Sequence, residues 1–165
     1  ESTVGVGSTF YLALPFIVAR RTAASNMDEE RELLTSQWDG PILQILIAED
    51  NAINLKFAVT ILERMGHQLT CTDNGKEALQ LWRQGAFDLI LMDIQMPQLD
   101  GSAATVAIRE EEDGTNRHIP IIALTAHALQ EEKKQLLNSG FDGYVPKPME
   151  VDTLIKEMKK VLGKP

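Results

Sequence analysis

Five polar residues that could act together stand at the ends of short apolar runs: Glu49 and Asp50, then Asp93, Thr125 and Lys147. If the chain gathers them, three carboxylates share one small space. Two carboxylates about 4 Å apart repel by about 4 kcal/mol at an effective dielectric near 20, so such a cluster needs a cation. Carboxylate oxygens and water suit a hard ion such as Mg2+, which keeps several waters and takes only one or two protein carboxylates plus phosphate oxygens. Lys147 can neutralise part of the remaining charge. Taken singly, each residue has an ordinary explanation: an acidic pair after a strand is often a solvated helix start, where carboxylates are favoured anyway. Their joint occurrence is what points to chemistry.

The elements that must position these residues follow from hydrophobic periodicity. Strand-length apolar runs at residues 43–48, 68–72, 88–92, 119–124 and 143–145 alternate with stretches whose apolar residues recur at helical spacing. In the first helix Ala58, Ile61, Leu62 and Met65 share a face and Gly66 ends it. Asn74 is the expected N-cap of the second, Gly101 opens the third, residues 130–139 followed by Gly140 make the fourth, and Leu154, Met158 and Val161 mark the fifth. The first, third and fourth strands are apolar on both alternating faces, as strands covered on both sides by helices must be. The expected fold is α/β, a doubly wound five-stranded parallel sheet of flavodoxin-like order 2-1-3-4-5 with helices on both faces. In such sheets ligands bind beyond the carboxyl ends of the strands, where the five polar residues fall.

Composition bounds the rest. The 165 residues suffice for one domain with a core and a small extra piece, and the 44% hydrophobic and 24% charged fractions are those of a globular chain. A net charge of −8 argues against partners that are nucleic acids or anionic lipid surfaces. The single Cys71 excludes an internal disulfide and reads as a buried thiol in a reducing compartment. The longest apolar stretch, residues 11–19, is interrupted by Pro15 and is too short to span a bilayer, so no direct membrane contact is expected. A solvated linker over residues 17–42, with a short helix near 29–34, precedes the periodic region at 43–165. His67 and His118 read as turn residues without a functional role.

The motifs Ala48-Glu49-Asp50-Asn51, Leu91-Met92-Asp93-Ile94-Gln95-Met96-Pro97, Asp100-Gly101, Leu124-Thr125-Ala126 and Lys147-Pro148 occur in the order found in response-regulator receiver domains, and the region 43–162 closely resembles that family. The resemblance implies that Asp93 accepts a phosphoryl group from a phosphohistidine with Mg2+ as cofactor. It makes Asp50 a direct metal ligand, puts Glu49 in the metal's water shell, and completes the site with the Gln95 backbone carbonyl. Thr125 and Lys147 would hold phosphoryl oxygens, Tyr144 matches the aromatic switch position, and Gln95 and His127 match positions that tune dephosphorylation. Pro148 is expected to follow a cis peptide bond. The implied partners are a histidine-kinase core as phosphodonor and a histidine phosphotransfer domain.

Residues 1–16, with Gly5-Val6-Gly7-Ser8-Thr9-Phe10, resemble the last glycine box of a histidine-kinase ATP-binding domain, where glycines let the backbone approach phosphates. The chain then resembles the C-terminal end of a hybrid sensor histidine kinase without the rest of the ATP site or a phosphoacceptor histidine, so it is not expected to label itself from ATP. The expected location is cytoplasmic, any membrane anchor of the parent protein lying outside this chain. Three other readings compete. A haloacid dehalogenase-type phosphatase needs an aspartate two residues after the nucleophile, where Gln95 stands. A flavodoxin-like flavin carrier needs a first loop that cradles phosphate, which Glu49 and Asp50 would repel. A phosphorylation-independent interaction domain of the same fold would not need so complete a set of polar residues.

Overall fold

The computed structural model describes residues 2–3, 7–8, 38–115, 117–126, 136 and 138–163. Near the start, β1 (Ser2–Thr3) pairs antiparallel with β2 (Gly7–Ser8). The remaining elements alternate as the apolar rhythm predicts: β3 (Gln44–Ala48), α1 (Ala52–Arg64), β4 (Gln68–Thr72), α2 (Gly75–Gln84), β5 (Leu89–Asp93), α3 (Gly101–Glu112), β6 (Ile121–Thr125), β7 (Gly143–Pro146) and α4 (Val151–Val161). The strands from β3 onward form one parallel sheet in the order β4-β3-β5-β6-β7, which is 2-1-3-4-5 counted from β3. The helix expected over 130–139 lies mostly outside the described residues. Leu136 and Asn138 are helical, and the Leu136 carbonyl accepts the Ser139 and Phe141 amides before Gly140 turns the chain at φ 93°.

Side-chain alternation splits the core into two layers. Ile45, Ile47, Leu91, Leu124 and Val145 pack against Leu62 of α1 and Leu154 and Met158 of α4. Leu46, Ile90, Met92 and Ala123 face the other way, against Ala78 of α2 and Ala104 and Ile108 of α3. Every residue of β5 and β6 is buried, so neither face of the central sheet is left to solvent. Each large apolar side chain removed from water in this way contributes about 1.5–3 kcal/mol, offset by the entropy lost in ordering the chain.

Four of the five strand spans differ by one or two residues from those expected, and for two of them hydrogen bonding gives the reason. The strand expected to start at Ile119 starts at Ile121, because Pro120 has no N–H to donate and the Ile119 amide is taken by Glu112 Oε1 at 2.6 Å. The strand expected at 88–92 is shifted by one residue, so that Asp93 pairs with Leu124 inside the ladder while Asp88 Oδ2 accepts the Gln44 amide at 2.8 Å.

One expectation about a single residue is overturned, and two histidines read as turn residues have defined partners. Cys71 is exposed, because β4 is an edge strand with only its last residue buried. Partial burial and the nearby Glu63 charge push its thiol pKa up. His67 is buried: its Nδ1 accepts the Leu43 amide at 3.2 Å and its ring stands edge-on to Trp38, with centroids 5.1 Å apart. Burial pushes its pKa down, as expected for a ring held neutral. Trp38, placed by sequence in the linker, is thereby part of the core beneath α1 and α4. His118, in the loop before β6, has its Nε2 2.7 Å from Asp142 Oδ1 and its Nδ1 3.5 Å from Glu112 Oε2. Arg109 completes that cluster, reaching Glu112 at 2.5 Å, Asp142 at 2.7 Å and the Gly140 carbonyl at 2.9 Å.

The start of α3 is the tightest approach between scaffold and site. Asp100 caps the helix by accepting the Ala103 amide at 2.7 Å, and the Gly101 amide donates to the Ile94 carbonyl at 2.9 Å. A Cβ on Gly101 would lie 2.0 Å from the Asp93 carbonyl oxygen, a backbone atom that cannot yield without moving the strand end. Gly101→Ala is therefore expected to destabilise the chain by about 2–3 kcal/mol, read from urea unfolding. A loss below about 0.5 kcal/mol would mean that α3 is free to shift.

Candidate functional site

Glu49 leaves the end of β3, Asp93 ends β5, Thr125 ends β6, and Lys147 follows β7, so the parallel register brings all four to one edge. Local hydrogen bonds hold the loops that carry them. The Glu49 amide donates to the Thr72 carbonyl at 3.0 Å, the Lys147 amide to the Thr125 carbonyl at 2.7 Å, and the Ile94 amide to the Leu124 carbonyl at 3.2 Å. The peptide between Lys147 and Pro148 is cis. A cleft of about 630 Å³ opens at this edge, and Glu49, Asp50, Asp93, Gln95, Thr125 and Lys147 all line it.

Acidic oxygens from Glu49, Asp50 and Asp93 lie within 4.8 Å of one another. Glu49 and Asp93 are 1% and 4% exposed, whereas Asp50 is open to solvent, so the cluster has a buried floor and an accessible rim. The Lys147 ammonium bridges the floor, 2.7 Å from Glu49 Oε2 and 2.7 Å from Asp93 Oδ2. Even so, three carboxylates against one ammonium leave two negative charges when all are ionised. Burial pushes the Asp93 carboxyl above its ordinary range, and the Glu49 charge adds to this, against the opposing pull of Lys147 and of the Gln95 amide, which donates to Oδ1 at 3.1 Å. An all-oxygen donor set with unbalanced negative charge and a solvent-facing side fits a hard divalent cation.

Thr125 is 6% exposed at the cleft wall. Tyr144 does not line the cleft; its register partner is Ala123, on the sheet face that also carries Thr125, and it packs half-buried against the layer under α2 and α3. Gln95 is exposed at the rim, and His127 lies outside the described residues. The sequence reading gave no role to Asn54, which lines the cleft and donates its Nδ2 to Glu49 Oε1 at 3.0 Å. The available signal was its spacing, one turn into the helix that follows the acidic pair. Among the described residues no helix is long and apolar enough to cross a membrane.

The profile of the response regulator receiver domain matches residues 45–159. The sensor histidine kinase GacS of Pseudomonas protegens is 42% identical over 154 residues, 92% of this chain but 16% of GacS. The first curated relatives matched are long proteins, of which this chain spans between 6% and 16%. Among solved structures, the receiver domain of the sensor histidine kinase PA1611 of Pseudomonas aeruginosa, with a magnesium ion coordinated in its active site cleft, is 35% identical with a TM-score of 0.66, covering 75% of this chain and all of that one. A co-crystal structure of the Saccharomyces cerevisiae histidine phosphotransfer protein Ypd1 with the receiver domain of its downstream response regulator Ssk1 matches with a TM-score of 0.67 at 35% identity, over 72% of this chain and 88% of that one. A matched span running from the first strand of the parallel sheet into its last helix, well over half the sequence, places this chain in the response regulator receiver domain family of two-component signalling.

Proposed function

We propose that this chain is a phosphoacceptor switch that takes a phosphoryl group from a phosphohistidine onto Asp93 with Mg2+ in the acidic cleft. The observation that carries this reading is the convergence of the Glu49, Asp50 and Asp93 oxygens within 4.8 Å beside the Lys147 ammonium. Asp50 and Asp93, with the Gln95 backbone carbonyl, would hold the metal directly, and Glu49 would act through its water. When bound, Mg2+ supplies the positive charge that offsets the carboxylates and the incoming phosphoryl oxygens. Asp93 attacks the phosphorus in line with the leaving imidazole nitrogen: the new bond is O–P, the N–P bond breaks, and its electron pair stays on the imidazole. Lys147 is within reach of the same phosphoryl oxygens, and the Thr125 hydroxyl stands on the adjoining wall.

The resulting acyl phosphate draws Thr125 inward and leaves room for Tyr144 to turn, which alters the surface beside β7. The alternative, a domain that kept the fold and binds partners without phosphorylation, has no use for a half-buried Lys147 bridging two carboxylates. For partners we propose a histidine-kinase core as donor and a histidine phosphotransfer domain as acceptor, the second by likeness to the Ypd1 and Ssk1 complex. The match to GacS over 92% of the chain extends upstream of the sheet, in keeping with 1–16 as the end of a kinase ATP-binding domain in a hybrid kinase.

Two measurements test this. With a phosphorylated cognate kinase core as donor, the native chain is expected to acquire acid-labile, hydroxylamine-sensitive label and Asp93→Asn none; persistent label of that kind in the variant would refute the assignment. The second measurement is pH-dependent stability. A carboxyl whose folded pKa is raised above the ordinary value of about 3.9 favours the folded state when protonated, so its contribution is present below that value and is lost as pH rises through the folded pKa. In metal-free buffer Asp93→Asn is therefore expected to be more stable than the native chain near neutrality, with the gap closing as the pH falls. Mg2+ at about 100 times its Kd is expected to restore about 2.7 kcal/mol to the native chain alone. Equal response of both proteins to pH and Mg2+ in urea unfolding would count against Asp93 as the charged metal-site ligand.

A further inference from the structure

Glu49 is held from two directions that do not depend on each other. Lys147 lies 2.7 Å from Oε2 and 3.0 Å from Oε1, while Oε1 also receives the Asn54 Nδ2 at 3.0 Å and the Asn51 amide at 3.3 Å. The second set is built into the start of α1. Asn51 caps that helix, its Oδ1 accepting the amides of Ile53 at 3.0 Å and Asn54 at 3.2 Å, so the backbone that carries both donors is fixed by the cap itself. Glu49 is 1% exposed, and a buried carboxylate that loses its donors is left with an unpaired charge. The ammonium that satisfies Glu49 is also the one within 2.7 Å of Asp93, where a transferred phosphoryl group would need it.

We infer that Asn54 is a positioning residue, which together with the Asn51 amide keeps Glu49 in place when Lys147 turns toward the phosphoryl group. The inference rests on the function proposed above for its purpose, though not for its geometry. A glutamate has one more methylene than an aspartate and so more rotamers to restrain, and at this position its length is what brings Oε1 to Asn54. Removing the side-chain donor leaves Oε1 with the longer Asn51 amide contact and with Lys147, on which Glu49 must then lean harder. A partner that orients a metal-site carboxylate in this way typically matters about 10- to 100-fold in metal affinity.

The test is a double-mutant cycle on the full chain, with Asn54→Ala, Glu49→Asp and both together. Alanine favours the helix, so the fold should tolerate it. Mg2+ binding measured by titration calorimetry is expected to weaken about 10-fold on Asn54→Ala in the native background and less than about two-fold in the Glu49→Asp background, where the shorter carboxylate no longer meets Asn54. A purely structural role would give the same loss in both backgrounds, and that result, or no loss in either, would overturn the inference. The Asn54 side-chain amide resonances in metal-free protein give the independent readout: they should shift on Glu49→Asp, and an indifferent amide also overturns the clamp. A native chain that ignores Mg2+ while this amide responds would refute the proposed function and leave the clamp standing.

Discussion

The arrangement of the cleft turns on one ammonium group. Lys147 sits 2.7 Å from each of two carboxylates that are almost fully buried, and without it Glu49 and Asp93 would face each other across a space with little water to screen them. Lysine suits this place because its charge is compact and its stem flexible, so one group can be shared between carboxylates or moved to a new acceptor. The compensation is incomplete, which suits the cleft to the cation proposed for it. A fully neutralised pocket would have no affinity for a cation, whereas this one retains negative charge beside an exposed Asp50.

The opposite end of the sheet shows acidic side chains whose oxygens are taken up by hydrogen bonds. Arg109 holds Glu112 and Asp142, and those carboxylates in turn accept the Ile119 and Ile121 amides at 2.6 and 2.8 Å where β6 begins. The guanidinium offers a rigid fork of donors, so both carboxylates and the Gly140 carbonyl are satisfied at once. Such a network fixes the entry of β6 and the turn before β7. The two ends of one strand pair thus carry opposite electrostatic designs: a satisfied clasp where β6 and β7 enter the sheet, and an unsatisfied acidic hollow where they leave it.

Between those ends the apolar layers transmit position with little tolerance. Asp93 is a ladder residue of a strand buried on both faces, and its carbonyl lies against the first glycine of α3. Its carboxylate cannot drift without disturbing either the register with β6 or the seat of α3. The α1 end is held as firmly by a different device, the Asn51 cap, so the carboxylates from β3 and β5 are set by the ends of two helices on opposite faces of the sheet. A site built on strand ends and helix starts is rigid at its floor, while its rim, including Asp50 and Gln95, remains open to a ligand.

Much of this was legible in the residues themselves. Alternating apolar runs determined the strand and helix order, two-sided burial determined a parallel sheet, and the polar strand ends determined which edge would gather the acidic residues and Lys147, because these follow from local periodicity and topology. What tertiary structure alone decided depends on distances between residues far apart in sequence. It decided that Lys147, 98 positions beyond Glu49, would bridge that glutamate and Asp93. It decided that His67 would stand buried against Trp38 and that Cys71 would face solvent from an edge strand. A histidine in a turn and a cysteine in an apolar run carry no mark of their neighbours. Burial and pairing are properties of the packed chain, and periodicity reports only which way a side chain points.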